Sequence, residues 1–214
     1  MKLLDIKGKY DMIFSLGDRC EISTKLRHYR LRPYAGVFDW MITFSLPDLT
    51  NLLRNRFANF MEKENMVFEG LHAGGEKLLL RDTLYDIYSA HDFSAPPNTA
   101  YHWPTYPAVK EKFGRRIHRF LKNLEDCEHI LFVRMNGTYE ETKELEVVLS
   151  SLVKHKFTLL MLNPINEHTI IEYNWDIPHV CSLGIPMGKE YPDIWDTLMG
   201  GIMCSGQLVI EEIA

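Results

Sequence analysis

Cys20 is the residue of this chain whose type and setting suit a nucleophile. It closes the run Asp11-Met12-Ile13-Phe14-Ser15-Leu16-Gly17-Asp18-Arg19-Cys20 and precedes Glu21-Ile22-Ser23-Thr24-Lys25-Leu26-Arg27-His28-Tyr29. A thiol attacks as the thiolate, so its worth depends on what stabilises the anion. The first turn of a helix offers unpaired N–H groups and the positive end of the dipole, both favourable to a thiolate. Arg19 adds a positive charge beside it, whereas Asp18 and Glu21 work against it. A small free cysteine packed under a helix is the competing structural role.

A thiol nucleophile also needs a base and a group to orient that base. Of the nine histidines, His28, His118 and His155 fall in predicted helices, and His129 and His179 at strand starts. His91 differs, because it ends the strand-like run Asp86-Ile87-Tyr88-Ser89-Ala90-His91 with Asp92 next to it. His102, beside Trp103, is the second choice. A surface or structural role competes for either histidine. No metal-binding spacing, phosphate-binding glycine loop or G-x-S-x-G elbow occurs, so the reading assigns neither metal nor cofactor.

The elements that must hold these residues follow from periodicity. Met12 to Leu16 reads as a strand buried on both faces, Gly17 as the turn, and Ile22, Leu26 and Tyr29 as one face of a helix. Asp18 and Glu21 have the spacing of a capping box, which makes Asp18 the expected N-cap and puts Cys20 in the first helical turn. In Val37-Phe38-Asp39-Trp40-Met41-Ile42 a lone carboxylate lies between two aromatics, where burial demands hydrogen-bonding partners, so a structural tie is the stronger expectation for Asp39. Ser45 caps a helix with Pro47 in its first turn, running to about Lys63.

Short strand or hairpin pieces cover 66–69, 76–80 and 83–91, and a Pro- and aromatic-rich segment from Asp92 to Pro107 reads as a long loop and a candidate lid carrying Trp103. A helix over Ala108–Asp126 presents Lys112, Arg115, Arg116, Arg119 and Lys122 on a face that reads as solvated, with anion binding as the lesser alternative. A strand at 129–134, a helix at 139–155 and a strand at 157–162 have the spacing of a parallel β-α-β unit. Shorter pieces follow at 168–173, 179–183, 193–203 and 207–211. The expected fold is one α/β domain over 1–214, three-layered, with a mostly parallel central sheet whose carboxyl edge carries Gly17 to Cys20.

Ser15-Leu16-Gly17-Asp18-Arg19-Cys20, Phe38-Asp39-Trp40 and His91-Asp92-Phe93 together resemble a bacterial family of unknown function that carries the label papain-like cysteine peptidase. The resemblance runs over most of the chain and is strongest from Tyr10 to Phe60. It implies Cys20 as nucleophile and His91 as base, with Asp92 and Asp39 as candidate orienting acids. The strand-Gly-Asp approach to the nucleophile is also similar to ester hydrolases whose serine follows Gly-Asp. It further resembles a capsule-biosynthesis acetyltransferase family with a Gly-x-Cys start. Acyl transfer is the chemistry common to all three.

The expected site thus comprises Cys20, His91 and Asp92 as catalytic residues, with Gly17, Asp18, Arg19, Asp39 and Trp103 around the substrate. The expected activity is that of a cysteine-dependent hydrolase or acyltransferase acting on a small molecule, glycan or peptide. The alternative is a catalytically silent binding module with a structural Cys20. A net charge of −5 disfavours a nucleic-acid partner. The short charged N-terminus and the absence of a spanning apolar run disfavour a signal peptide and a membrane partner. Four scattered cysteines fit a reducing, cytoplasmic setting.

Overall fold

The computed structural model describes residues 1–188 and 191–206. In chain order the strands are β1 (Gly8–Tyr10), β2 (Met12–Ser15), β3 (Met41–Ile42), β4 (Met66–His72), β5 (Lys77–Asp82), β6 (Ile87–Ser94), β7 (His129–Met135), β8 (Lys156–Ile165), β9 (Ile171–Tyr173), β10 (Val180–Pro186) and β11 (Ile202–Cys204). The α-helices are α1 (Glu21–His28), α2 (Leu46–Arg54), α3 (Tyr106–Asp126), α4 (Tyr139–Leu152) and α5 (Pro192–Met199). The expected strand at 207–211 lies outside the described residues.

The α/β class holds, but the strands do not form one mostly parallel sheet. A five-stranded sheet runs β2-β7-β8-β10-β9, with β9 antiparallel to β10 and the other pairings parallel, so it is mixed. The strand pieces between α2 and α3 form a separate antiparallel sheet with β3, in the order β3-β6-β5-β4. Periodicity identifies strands without assigning them to sheets, so the second sheet emerges only from tertiary pairing. β7, α4 and β8 do make the expected parallel unit, in register from His129 opposite Lys156 to Met135 opposite Leu162.

Alternation along the buried strands sends side chains into two cores, one on each face of the five-stranded sheet. Met12, Phe14, Ile130 and Phe132 join α2, α3, α4 and the inner face of the antiparallel sheet, where Leu78, Leu80, Ile87 and Phe93 pack. Ile13, Leu131 and Val133 face the other way, onto Ile22 and Leu26 of α1 and Trp195 and Leu198 of α5. Helix α2 starts as its sequence dictates: Ser45 accepts a hydrogen bond from the Asp48 N–H, and Pro47 occupies the first turn. It ends at Arg54, earlier than its apolar spacing suggests, because Arg56, Phe57, Asn59 and Met61 all adopt positive φ. Phe57 and Phe60 still reach the core from those turns. No helix among the described residues is long and apolar enough to cross a membrane.

Candidate active site at Cys20 and His91

β2 delivers its carboxyl end to a turn in which Gly17 and Asp18 have φ of 82° and 84°. Gly17 is needed twice over at this point. Positive φ is readily reached by glycine, and a Cβ here would stand 2.5 Å from Thr43 Oγ1. Thr43, which follows β3, grips the turn from both sides: its Oγ1 accepts from the Asp18 N–H (2.8 Å), and its own N–H donates to the Asp18 carbonyl (3.0 Å).

Beneath the turn lies Arg134 of β7, fully buried, donating to the Leu16 carbonyl (3.0 Å), Thr43 Oγ1 (2.6 Å) and the Thr43 carbonyl (2.6 Å). Burial pulls its pKa down to about 10, opposed by the nearby carboxylates of Asp18 and Glu141. The guanidinium therefore ties the end of β2, the Cys20 turn and the segment after β3 into one unit. Nothing in the apolar run His129-Ile130-Leu131-Phe132-Val133-Arg134 marks that role in advance.

The capping arrangement differs from expectation. Cys20, not Asp18, is the N-cap of α1, and no side chain caps the helix. Asp18 is held in the positive-φ turn by Thr43 and Arg134, two residues too early to cap. Its carboxylate is buried and stands 4.0 Å from the exposed Arg19 side chain. The first N–H groups of α1 are thus left for an acceptor other than a side chain.

His91 comes from the second sheet. It lies inside β6 rather than at its end, and at an irregularity: Ser89 pairs with Leu80 and Phe93 with Leu78, so Ala90, His91 and Asp92 together face Leu79 alone. A bulge of this kind breaks the strict up-down alternation and re-aims side chains. β3 pairs with β6 just ahead of the bulge, Met41 with Ser89 and Ile42 with Tyr88. Two residues of β3 thereby join the strand bearing the histidine to the turn bearing the cysteine.

The outcome is one cleft of about 110 Å³ lined by Arg19, Cys20, Trp40, Met41, Ile42, His72, Ala90 and His91. The His91 ring is packed edge-on against Trp40 (5.6 Å between centroids) and His72 (5.2 Å). Burial lowers the His91 pKa below its usual 6.5, and the neighbouring His72 lowers it further, against an opposing pull from Asp92. His91 is therefore the neutral imidazole near pH 7, the form that accepts a proton. Cys20 also opens onto a second, larger cavity of about 560 Å³, walled by α1 through Glu21, Thr24, Lys25, His28 and Tyr29 and bordered by Gly188 and Pro192.

The two acids sit elsewhere. Asp92 accepts from Ser89 Oγ (2.7 Å) and pairs with Lys112 (2.7 Å), and among the described residues it makes no hydrogen bond to His91. Asp39 is buried, pairs with Arg32 and accepts the Gly36 N–H (2.7 Å). It lines neither Cys20 cavity. Its structural setting leads to a prediction: Asp39→Asn loses the charge that holds Arg32 and costs about 2 kcal/mol. For a chain of this size that is a fall in Tm of roughly 4–8 °C, with Cys20 alkylation little changed. A variant with an unaltered melting curve and an inert Cys20 would reverse the assignment.

Trp103 also lies away from both Cys20 cavities, against Phe93 and the core beside α3. The segment expected as a long loop is shorter, since β6 continues through Ser94 and α3 begins at Tyr106. It is stapled in place by Asn98, whose amide donates to the Ser94 carbonyl and whose Oδ1 accepts from Thr105. His72 is a further residue of the site, and no motif surrounds it in the sequence. Its only signal is its place at the end of β4, next to the Gly74-Gly75 turn into β5.

All four cysteines are free thiols. Burial raises the pKa of Cys127 to about 11, of Cys181 to about 12, and that of Cys204 upward. No group of His, Cys, Asp and Glu among the described residues is arranged to hold a metal ion.

No curated protein and no solved structure matches the chain. A protein-family profile matches residues 11–166, a span that contains Cys20, the Phe38-Asp39-Trp40 patch, His72, His91 and Arg134. That span is well over half of the 214 residues, and by it the chain belongs to the family described as "putative papain-like cysteine peptidase (DUF1796)".

Proposed function

We propose that this protein is a cysteine-dependent acyl-transfer enzyme, a hydrolase or acyltransferase, with Cys20 as nucleophile and His91 as its base. The observation that supports it is the shared cleft of Cys20 and His91, residues 71 positions apart, one at the head of α1 and the other in a strand of the antiparallel sheet. In the first step Cys20 Sγ attacks the carbonyl carbon of an ester or amide while His91 accepts the thiol proton. The resulting oxyanion is met by the uncapped first-turn N–H groups of α1. Collapse expels the leaving group, which takes the proton from His91, and leaves a thioester on Cys20. Water or an acceptor hydroxyl or amine, deprotonated by His91, then attacks the thioester and regenerates the thiol.

The ring contacts of Trp40 and His72 take the place of an orienting carboxylate for His91. The 560 Å³ cavity beside Cys20 has room for one side of the substrate. A glycan, small-molecule or peptide ester or amide fits this chemistry. Neither a nucleic acid nor a membrane is part of the proposal.

Iodoacetamide labelling of the folded protein, mapped by residue, tests it. Cys20 is expected to react at least roughly tenfold faster than Cys127, Cys181 or Cys204, whose thiols are pushed upward by burial. Equal or slower labelling at Cys20 would remove the nucleophile and leave a binding module with a structural cysteine.

A further inference from the structure

His91 has a second neighbourhood. On the side of Trp40 and His91 that faces α3 lies a separate cleft of about 330 Å³, lined by Trp40, Lys77, His91, Asp92, Lys112 and Arg116. Three cations face one carboxylate there, so two positive charges are in excess among the lining groups. Lys112 is matched by Asp92 at 2.7 Å, and Lys77 donates to Ser94 Oγ at 2.8 Å. Arg116 has no such match. Its Nη1 is buried without a hydrogen-bond partner, and among the described residues it is paired with no carboxylate.

The rest of the α3 cationic face is used internally. Arg115 pairs with Glu111 and Lys122 with Asp126, each one turn away, while Arg119 donates to the Ala35 carbonyl and stacks on Tyr34. Lys112 and Arg116 are the two that line the cleft, on one face of the helix at the i, i+4 spacing.

We propose that the Lys77–Lys112–Arg116 cleft binds a phosphate group carried by the substrate whose acyl bond is broken at Cys20. The substrate part of this assignment rests on the reading of Cys20 and His91 given above. Charge selects the ligand. A phosphate monoester carries about −1.5 to −2 at pH 7 and three acceptor oxygens, which matches two uncompensated cations and an unsatisfied guanidinium N–H. A single carboxylate would leave one positive charge uncovered. Trp40 and His91 border both this cleft and the Cys20 cleft, so an anchored phosphate fixes how far the reacting carbonyl can lie from the thiol.

Calorimetric titration with inorganic phosphate, glycerol phosphate and acetate tests the assignment, on the parent chain and on Cys20→Ala. Cys20→Ala abolishes the nucleophile and leaves the cleft intact. Both proteins are expected to bind both phosphates with Kd near 1 mM or tighter, and acetate roughly tenfold more weakly. Arg116→Gln and Lys77→Gln are each expected to raise the phosphate Kd about tenfold. Absence of saturable phosphate binding overturns the proposal, as do acetate binding equally tightly or a Kd that neither substitution moves. Binding of inorganic phosphate without binding of the ester overturns the substrate assignment. The readout is heat of binding, so it stands apart from the labelling experiment: a Cys20 that fails there does not alter what these titrations measure.

Discussion

His91→Ala is expected to move the midpoint of Cys20 alkylation upward in pH while the fold persists. With His91 present, the proton acceptor titrates below 6.5, because burial and His72 both disfavour the imidazolium. The acid limb of the alkylation profile therefore lies below that value in the parent. Without the imidazole, reaction waits on spontaneous ionisation of the thiol. The expected loss at pH 7 is on the order of 100-fold, the low end of what a positioned base contributes. The profile belongs to the pair and not to either residue alone, so it is the midpoint shift between variants that is read. His102→Ala is the control: that side chain is exposed in the 95–105 connection and lines neither Cys20 cavity. Overlapping curves for His91→Ala and the parent would show that His91 does not activate Cys20.

The largest effect on stability is expected at Arg134. Arg134→Met keeps the apolar stem but strands the Leu16 and Thr43 carbonyls, and removes the buried positive charge that interacts with the Asp18 carboxylate. Removing one partner from such a buried arrangement costs about 3–5 kcal/mol. For a domain of this length that corresponds to a Tm lower by roughly 6–20 °C. The Cys20 turn is expected to loosen as well, so that the selectivity of alkylation at Cys20 over the other three cysteines shrinks. Arg134→Lys restores one donor and one charge, and should recover part of the loss. Melting curves of the three proteins, with labelling run well below the lowest midpoint, measure both effects. A destabilisation of Arg134→Met below about 1 kcal/mol would show that the guanidinium does not hold the turn.

Much of the local structure was legible in the sequence. The unbroken apolar run at 12–14 gave a strand buried on both faces, and the i, i+4 spacing of Ile22 and Leu26 gave the inward face of α1. Ser45 with Asp48 three residues on gave the start of α2, because N-capping is a contact between near neighbours. Cys20 could be set at the head of α1 for the same reason. The lone carboxylate of Asp39 between aromatics demanded a partner, though not which one; Arg32 and the Gly36 N–H supply it.

What could not be read locally was decided by contacts between segments far apart in the chain. Asp18 has the spacing of a cap, yet Thr43 after β3 and Arg134 of β7 hold its backbone in a positive-φ turn, and the cap position passes to Cys20. His91 reads as a strand end, but the register of β5 against β6 makes it part of a bulge. The neighbouring carboxylate of Asp92 looks available to it in sequence, and is taken up by Ser89 and Lys112. His72 has only its place before a glycine turn to mark it in the sequence, because its role lies in ring contact with a residue on another strand. Periodicity reports which side of an element faces apolar surroundings, and capping reports a contact within one turn. Neither reports which strands become neighbours, and the meeting of Cys20, His91 and His72 in one cleft depends on that pairing.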